Sequence, residues 1–160
     1  MIGNIVEIRN TRFLFRTNFA GDPSKDRFKD SRRKASLIIP DEQLAQDLME
    51  AGFNVKQSKP SEDSDYPPEY YVNIIANYNS KIPPKVYLVC GSEEPRRLDE
   101  DTVGIIDDIS VDNVNVILNP WIRDQFHSLY ITTMYVEQKM DYDPFAEEYE
   151  RRREGEDKPF

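Results

Sequence analysis

The sequence predicts a small, mostly antiparallel β barrel with one or two short helices and a flexible acidic tail at its C-terminal end. First, about five to seven runs of β-branched and aromatic residues are separated by turns rich in Gly, Pro and Asn. Second, helical periodicity is rare, and strands do not alternate with helices as a parallel sheet requires. Third, the segment 141–160 carries eight acidic and four basic residues and few apolar ones.

The first strand is expected to be long, covering residues 4–16. Because side chains alternate along a strand, Phe13 and Phe15 would share one face. The two rings would then be buried together or exposed together, and burial is slightly favoured. A turn region at residues 18–24 and a basic run precede a short apolar strand at residues 35–39.

A helix is expected after Asp41, which is a good N-cap residue, and Gly52 is expected to end it. The remaining elements follow in chain order, beginning with a strand at residues 53–57, an exposed loop at 58–68 and a strand at 69–78 that carries Val72, Ile74 and Ala76 on one face. A strand at 85–90 is expected to pair with it, a short helix to lie within 98–106, and strands at 109–118 and 128–138 to be joined through Asn119-Pro120-Trp121. We therefore expect one domain over residues 1–140 and a tail over residues 141–160.

Charge is distributed unevenly along this acidic chain, whose net charge is −9. The segment 1–40 holds nine Lys or Arg against four Asp or Glu, a net charge of +5. The segment 41–160 holds 12 against 26, a net charge of −14. Salt screens charge beyond about 10 Å, so an acidic protein can still have a basic groove.

The basic excess lies between Arg9 and Lys34, where cationic and aromatic residues are interspersed. Lys and Arg bind phosphates and aromatic rings stack on bases, so the mixture suits a nucleic-acid single strand. A basic surface loop beside ordinary core phenylalanines explains the same pattern equally well.

Residues suited to catalysis or metal binding are scarce. Cys90 and His127 are each the only residue of their type, which excludes an internal disulfide and a four-ligand zinc site of Cys and His. The acidic runs at residues 99–101 and 107–108 could hold Mg²⁺, but acidic residues at a helix N-terminus or in a solvated turn explain them better. No glycine-rich phosphate loop occurs. We expect no enzyme activity, no metal and no cofactor.

Several segments together resemble a known family: Arg12-Phe13 with Phe15 and Asn18-Phe19, Arg32-Arg33-Lys34, Pro40-Asp41, Gly52-Phe53-Asn54-Val55, Tyr78-Asn79, and Pro83-Pro84-Lys85-Val86-Tyr87. Over residues 4 to about 145 the chain resembles phage-encoded single-stranded DNA-binding proteins of the OB-fold type, although it has no diagnostic short motif. The resemblance implies an OB-fold-like barrel that binds single-stranded DNA largely without sequence preference and acts in phage DNA replication or recombination. With no apolar run long enough to span a bilayer and no signal peptide, we expect no membrane association and a location in the host cytoplasm.

The end of the chain shows a second resemblance. Residues 155–160 are similar to the acidic C-terminal tip of bacterial single-stranded DNA-binding proteins, except that Lys158 replaces an aliphatic residue. The resemblance implies that the tip competes with DNA for the basic groove and recruits replication or recombination proteins. Such a tip binds a partner through its chain-end carboxylate and last ring. The residues concerned are Glu156, Asp157, Pro159 and Phe160.

The candidate nucleic-acid site combines cations that follow phosphates with rings that stack on bases. The cations are Arg12, Arg16, Arg27, Lys29, Arg32, Arg33, Lys34 and Lys85. The rings are Phe19, Phe28, Tyr71, Tyr78, Tyr87 and Trp121, the last of which could equally be core. The first alternative is a protein-interaction adaptor without significant DNA affinity, and the second is a metal-dependent nuclease. The residues leave oligomeric state and the choice between DNA and RNA open.

Overall fold

The computed structural model describes residues 3–25, 31–58 and 67–140. These residues form nine strands, one α-helix and two 3-10 helices, which confirms the prediction of a mostly β fold. No described helix is long and apolar enough to cross a membrane. The elements are β1 Val6–Thr11, β2 Phe13–Asn18, a 3-10 helix Pro23–Lys25, β3 Arg33–Ile39, α1 Glu42–Glu50, β4 Lys56–Gln57, β5 Tyr70–Ala76, β6 Lys85–Val89, β7 Arg96–Leu98, a 3-10 helix Val103–Asp108, β8 Val111–Arg123 and β9 Phe126–Gln138.

The strands form one curved sheet in the order β1-β8-β9-β5-β3-β2. Its two ends are consecutive in the chain, since only Arg12 separates β1 from β2. Ile38 of β3 holds this junction, because its N–H donates to Arg12 O (3.0 Å) and its carbonyl accepts from the Thr11 hydroxyl (2.6 Å). The sheet is not closed, and it has the partly open barrel arrangement of an OB-fold.

The prediction of one continuous first strand is wrong. The strand is interrupted at Arg12, which separates β1 from β2. Phe15 has a positive φ of 65° where the register between β2 and β3 shifts. The shift ends the alternation of side chains. Phe13 therefore packs against the core while Phe15 is 67% exposed, so the two rings do not share a face as expected.

The helix follows its predicted boundaries. The Asp41 carboxylate accepts hydrogen bonds from the backbone N–H of Gln43 (3.0 Å) and Leu44 (3.4 Å), which caps α1. Gly52 ends the turn after it with a φ of +96°. A Cβ on Gly52 would lie 2.7 Å from His127 Nε2, so the His127 ring would have to move, and the positive φ by itself favours glycine here.

Two expected connections are different in the structure. Strand β6 pairs with β7 and, in parallel, with β9, and does not pair with β5. The connection expected at Asn119-Pro120-Trp121 is part of β8, and the chain turns at residues 124–125. Pro120 pairs with Leu129 of β9, but β1 pairs with β8 only as far as Leu118, so one side of β8 is a sheet edge at Pro120, where proline is tolerated.

Two further predicted elements are shorter or shifted. The strand expected at residues 53–57 is reduced to Lys56–Gln57, and the helix expected at 98–106 is the 3-10 helix Val103–Asp108. The inward face of β5 is as predicted, with Val72, Ile74 and Ala76 buried. Fully buried side chains from all parts of the barrel form its core, among them Phe19, Leu37, Leu48, Ile74, Leu98, Leu118 and Met134.

Candidate nucleic-acid interface

The outward surface of β3 and β5 forms the centre of the candidate site, and we call it the β3–β5 face. Paired residues on these strands place Lys34 beside Ile75 and Ser36 beside Asn73. The Ser36 hydroxyl donates to Asn73 Oδ1 at 3.1 Å, which shows that both side chains lie on this surface. Polar side chains therefore line the middle of the face.

An aromatic pair lies at one end of the β3–β5 face. The rings of Phe15 and Tyr71 meet edge to face with centroids 5.5 Å apart, and the positive φ of Phe15 leaves its ring exposed. A shallow pocket of about 360 Å³ lies beside this aromatic pair, and its lining includes Arg12, Phe15 and Arg16. Arg12 also forms an ion pair with Glu69. This end thus combines exposed ring surface with guanidinium groups, as stacking and phosphate binding require.

A second aromatic pair lies at the other end of the β3–β5 face. Trp121 of β8 and Tyr130 of β9 meet edge to face with centroids 6.1 Å apart. They line a pocket of about 540 Å³, which we call the hairpin pocket; its other residues are Asn77, Ser80, Ile82, Asn119, Ile131 and Thr132. Trp121 is 39% exposed, so it is a surface ring rather than a core residue.

The two ends belong to one surface. Tyr130 pairs with Ile75, Ile75 with Lys34, and Asn119 with Tyr130, so one row crosses from β8 to β3. The Phe15–Tyr71 pair lies four residues away from this row along β5, so a strand of nucleic acid that runs along β5 would meet rings at both ends, with Ser36 and Asn73 between them. Tyr71, Trp121, Lys34 and Arg16 were all predicted as site residues, and they lie on or beside this surface.

Phe19 is a correction to the predicted site. Its ring is 0% exposed and packs edge to face against Phe13, with centroids 5.6 Å apart. Asp107 holds the backbone here, because its carboxylate accepts from Phe19 N (2.8 Å) and Ala20 N (2.9 Å). A polar loop thus carries a core residue, and the Phe19 ring cannot stack on a base in this conformation.

Arg33 and Tyr78 are also used within the fold. Arg33 Nη1 donates to the carbonyl of Phe19 (2.7 Å), and Nη2 lies 3.8 Å from Glu100. The same guanidinium lies 5.7 Å from the centroid of the Tyr78 ring. Burial raises the pKa of the Tyr78 hydroxyl to about 12, against the opposing effect of Arg33. Tyr78 is therefore half-buried and already in contact with Arg33, and its role as a stacking ring stays a prediction.

Lys85 and Tyr87 are separated from the β3–β5 face. They lie on β6, which pairs with the second half of β9, and Tyr87 stacks on Tyr135 with centroids 4.7 Å apart and an angle of 16°. Tyr130 and Tyr135 are five residues apart along β9, a distance of about 16 Å. The structure does not bring these two predicted site residues together with the others.

The remaining predicted site residues are Arg32 and those that lie outside the described residues. Arg32 is exposed just before β3. Arg27, Phe28 and Lys29, and the tail residues Glu156, Asp157, Pro159 and Phe160, lie outside the described residues.

Two of the carboxylates considered for metal binding, Asp99 and Asp107, have structural roles. Besides the two backbone N–H groups, Asp107 accepts from the Thr17 hydroxyl at 2.6 Å. The pKa of Asp99 is lowered, chiefly by the hydrogen bond from the Thr102 side chain. Within residues 3–25, 31–58 and 67–140, no three His, Cys, Asp or Glu side chains are grouped to hold a metal ion.

Sequence reasoning missed much of the hairpin. Asn119 and Tyr130 line the pocket, and the nearby side chains of Ile82 and Phe126 are 81% and 62% exposed. Alternation along β8 and β9 would have indicated the outward rings once the turn was placed at residues 124–125. Placing Trp121 in a connection obscured that signal.

Comparison with known proteins identifies the family. The family model described as "Putative phage ssDNA-binding domain" matches residues 3–159. The chain belongs to this family. No curated protein matches the sequence.

Solved structures of two phage proteins are similar to this chain. One is a C-terminal truncation of the single-stranded DNA-binding protein from bacteriophage Enc34, with a TM-score of 0.48, 12% identity and 88% of each chain covered. The other is gp2.5, a single-stranded DNA-binding protein encoded by bacteriophage T7, with a TM-score of 0.41, 12% identity, and 90% of this chain and 97% of that chain covered.

Proposed function

We propose that this chain is a non-catalytic, largely sequence-independent single-stranded DNA-binding protein that acts in phage DNA replication or recombination. The observation that carries the proposal is the aromatic pair at each end of the β3–β5 face, with Phe15 exposed in one and Trp121 in the other, in a member of a phage ssDNA-binding family. Rings stack on any base, so a surface of this kind binds a strand without reading its sequence.

The binding mechanism divides the work between two kinds of side chain. Bases stack against Phe15 and Tyr71 at one end and against Trp121 at the other. Arg16 and Lys34 attract the phosphates between them. Catalysis plays no part, and two of the carboxylates considered for Mg²⁺, Asp99 and Asp107, accept hydrogen bonds within the fold instead.

The proposal extends to the tail at residues 141–160. Its net charge of −4 opposes the +5 of the segment 1–40, so the tail competes with DNA for the cationic groups. Pro159 and Phe160 at its end suit an apolar, arginine-lined pocket on a replication or recombination protein.

The decisive experiment is fluorescence anisotropy with a labelled 30-mer of oligo-dT across a salt series. The full chain and a chain truncated after Met140 are compared. Binding should weaken with salt, with a slope of about −0.7 in log K against log salt for each phosphate contact. Truncation should tighten binding. If neither form binds at low salt, the chain is a protein-interaction adaptor instead, and oligo-U in the same assay decides between DNA and RNA.

Substitutions locate the site within the same assay. Trp121→Ala and Tyr71→Ala should each weaken oligo-dT binding by about 1–3 kcal/mol, because each removes a ring that stacks on a base. Tyr87→Ala is the matched control, since that ring lies on β6 and stacks on Tyr135. If only the Tyr87 variant loses affinity, the binding surface lies on β6 rather than on the β3–β5 face.

A further inference from the structure

We propose that the hairpin pocket holds one nucleobase and prefers adenine, with Asn119 hydrogen bonding to the base edge. The inference rests on the proposed function and refines it, because it adds one composition-sensitive position to a surface that otherwise binds any sequence. Two features of the pocket support it: its shape, and the hydrogen bonds that its polar groups already make.

The size and walls of the pocket suit a flat aromatic ligand. Its volume of about 540 Å³ lies within the range of about 300–1,000 Å³ that is typical of small-molecule sites. The planes of Trp121 and Tyr130 meet at 74°, so the two rings form a corner. A base that stacks on one ring has its edge directed at the other wall, and Asn119 pairs with Tyr130 across the strands at that corner.

The polar groups of the pocket are not equivalent. Asn77 Oδ1 already accepts from Asn79 N (3.1 Å), and the Ser80 hydroxyl already donates to the carbonyl of Ile82 (2.7 Å). The exposed Asn119 side chain makes no hydrogen bond within the described part of the chain. Its amide therefore offers a donor and an acceptor side by side.

An asparagine amide with both groups available matches one base better than the others. It pairs with adenine through N6, which donates, and N7, which accepts. Guanine presents two acceptors on that edge and suits Arg or Lys, and the pyrimidines have no N7. The opposite end of the β3–β5 face is lined by Arg12 and Arg16 and contains no amide in its pocket. Base preference is therefore expected from the hairpin pocket alone.

The test uses the full chain and labelled oligo-dT in which one central thymidine is replaced by dA, dG or dC. Anisotropy titrations should show that the dA oligonucleotide binds at least about fivefold more tightly than oligo-dT, the smallest effect of a good bidentate contact. The dG and dC oligonucleotides should bind as oligo-dT does. Asn119→Ala should remove the dA preference, measured as the ratio of dA to dT affinity of that variant itself.

Asn115→Ala is the control, because Asn115 is on the same strand and the same outward face but outside the hairpin pocket, and its Oδ1 accepts from Asn10 N (2.9 Å) instead of facing a base. This variant should keep the preference. Equal binding of all four oligonucleotides, or a purine preference that survives Asn119→Ala, would overturn the inference and leave the proposed function standing. Failure to bind any oligonucleotide would overturn the proposed function itself.

Discussion

The loop after β2 and the β8–β9 hairpin contain similar aromatic and cationic side chains, yet they use them in opposite ways. In the loop, Phe19 is fully buried and Arg33 donates to its carbonyl. In the hairpin, Trp121 and Phe126 present their rings to solvent. The loop belongs to the basic, ring-rich part of the sequence, and the hairpin belongs to the acidic remainder.

The difference shows that residue type does not decide whether a ring binds or is buried. Asp107 accepts two backbone N–H groups at residues 19 and 20 and holds the Phe19 ring in the core. The hairpin extends beyond Leu118, the last residue of β8 that pairs with β1. Its outward rings therefore have no β1 residues beside them. The backbone partners of each segment, rather than its composition, determine the role of its rings.

The largest expected effect separates the two regions by stability. Phe19→Ala should lower the free energy of unfolding by about 3–5 kcal/mol, because it empties a fully buried site. Phe126→Ala should change it by less than about 0.5 kcal/mol, since that ring is exposed. Urea unfolding followed by circular dichroism measures both values. Equal effects of the two substitutions would contradict the assigned burial.

A smaller effect is expected from the carboxylate that holds the loop. Asp107→Ala removes three hydrogen bonds and leaves the partly buried Phe19 N–H and the exposed Ala20 N–H without their acceptor, which should cost about 2–3 kcal/mol. The neighbouring Asp108 is exposed, so Asp108→Ala is the control and should stay within about 0.5 kcal/mol. Urea unfolding of both variants tests this, and a stable Asp107 variant would show that the loop does not depend on the carboxylate.

The smallest effect concerns the ring beneath Arg33. The pKa of Tyr78 is raised from 10.0 to about 12, so the folded state favours the neutral hydroxyl. The resulting stability is fully present below pH 10 and is lost as the pH rises from 10 to 12. Because Tyr78 is only half-buried, about 1 kcal/mol is expected after allowance for solvent screening. Unfolding from pH 9 to 12 should show this loss in the wild type and not in Tyr78→Phe.

Local signals predicted much of the fold. Asp41 and Gly52 bound the helix as expected, and the alternation along β5 identified its buried face. These features depend on neighbouring residues, so they can be found in one segment at a time. The pairing of β6 with β9 joins two segments that are far apart in the chain, and no local pattern indicated it.

The candidate site was predicted less completely than the fold. Tyr71, Trp121, Arg16 and Lys34 lie where a strand of DNA could meet them, but Lys85 and Tyr87 lie elsewhere and Phe19 is in the core. The exposure of Phe15 depends on its positive φ, and a single strand pattern could not predict it. Asn119 and Tyr130 were missed because the hairpin turn was placed too early.

Local sequence patterns were enough to predict a mostly β barrel, and they carried the resemblance to phage single-stranded DNA-binding proteins. Strand propensity, caps and turns are local properties, so they can be recognised in the sequence before any contact is known. The packing of distant segments was needed to show which rings lie on the β3–β5 face and which side chains form the hairpin pocket. It was also needed to show that Asp107 holds the Phe19 ring in the core. Exposure is the reason, because it depends on the strands that pack beside a residue, and in a barrel those neighbours come from distant parts of the chain.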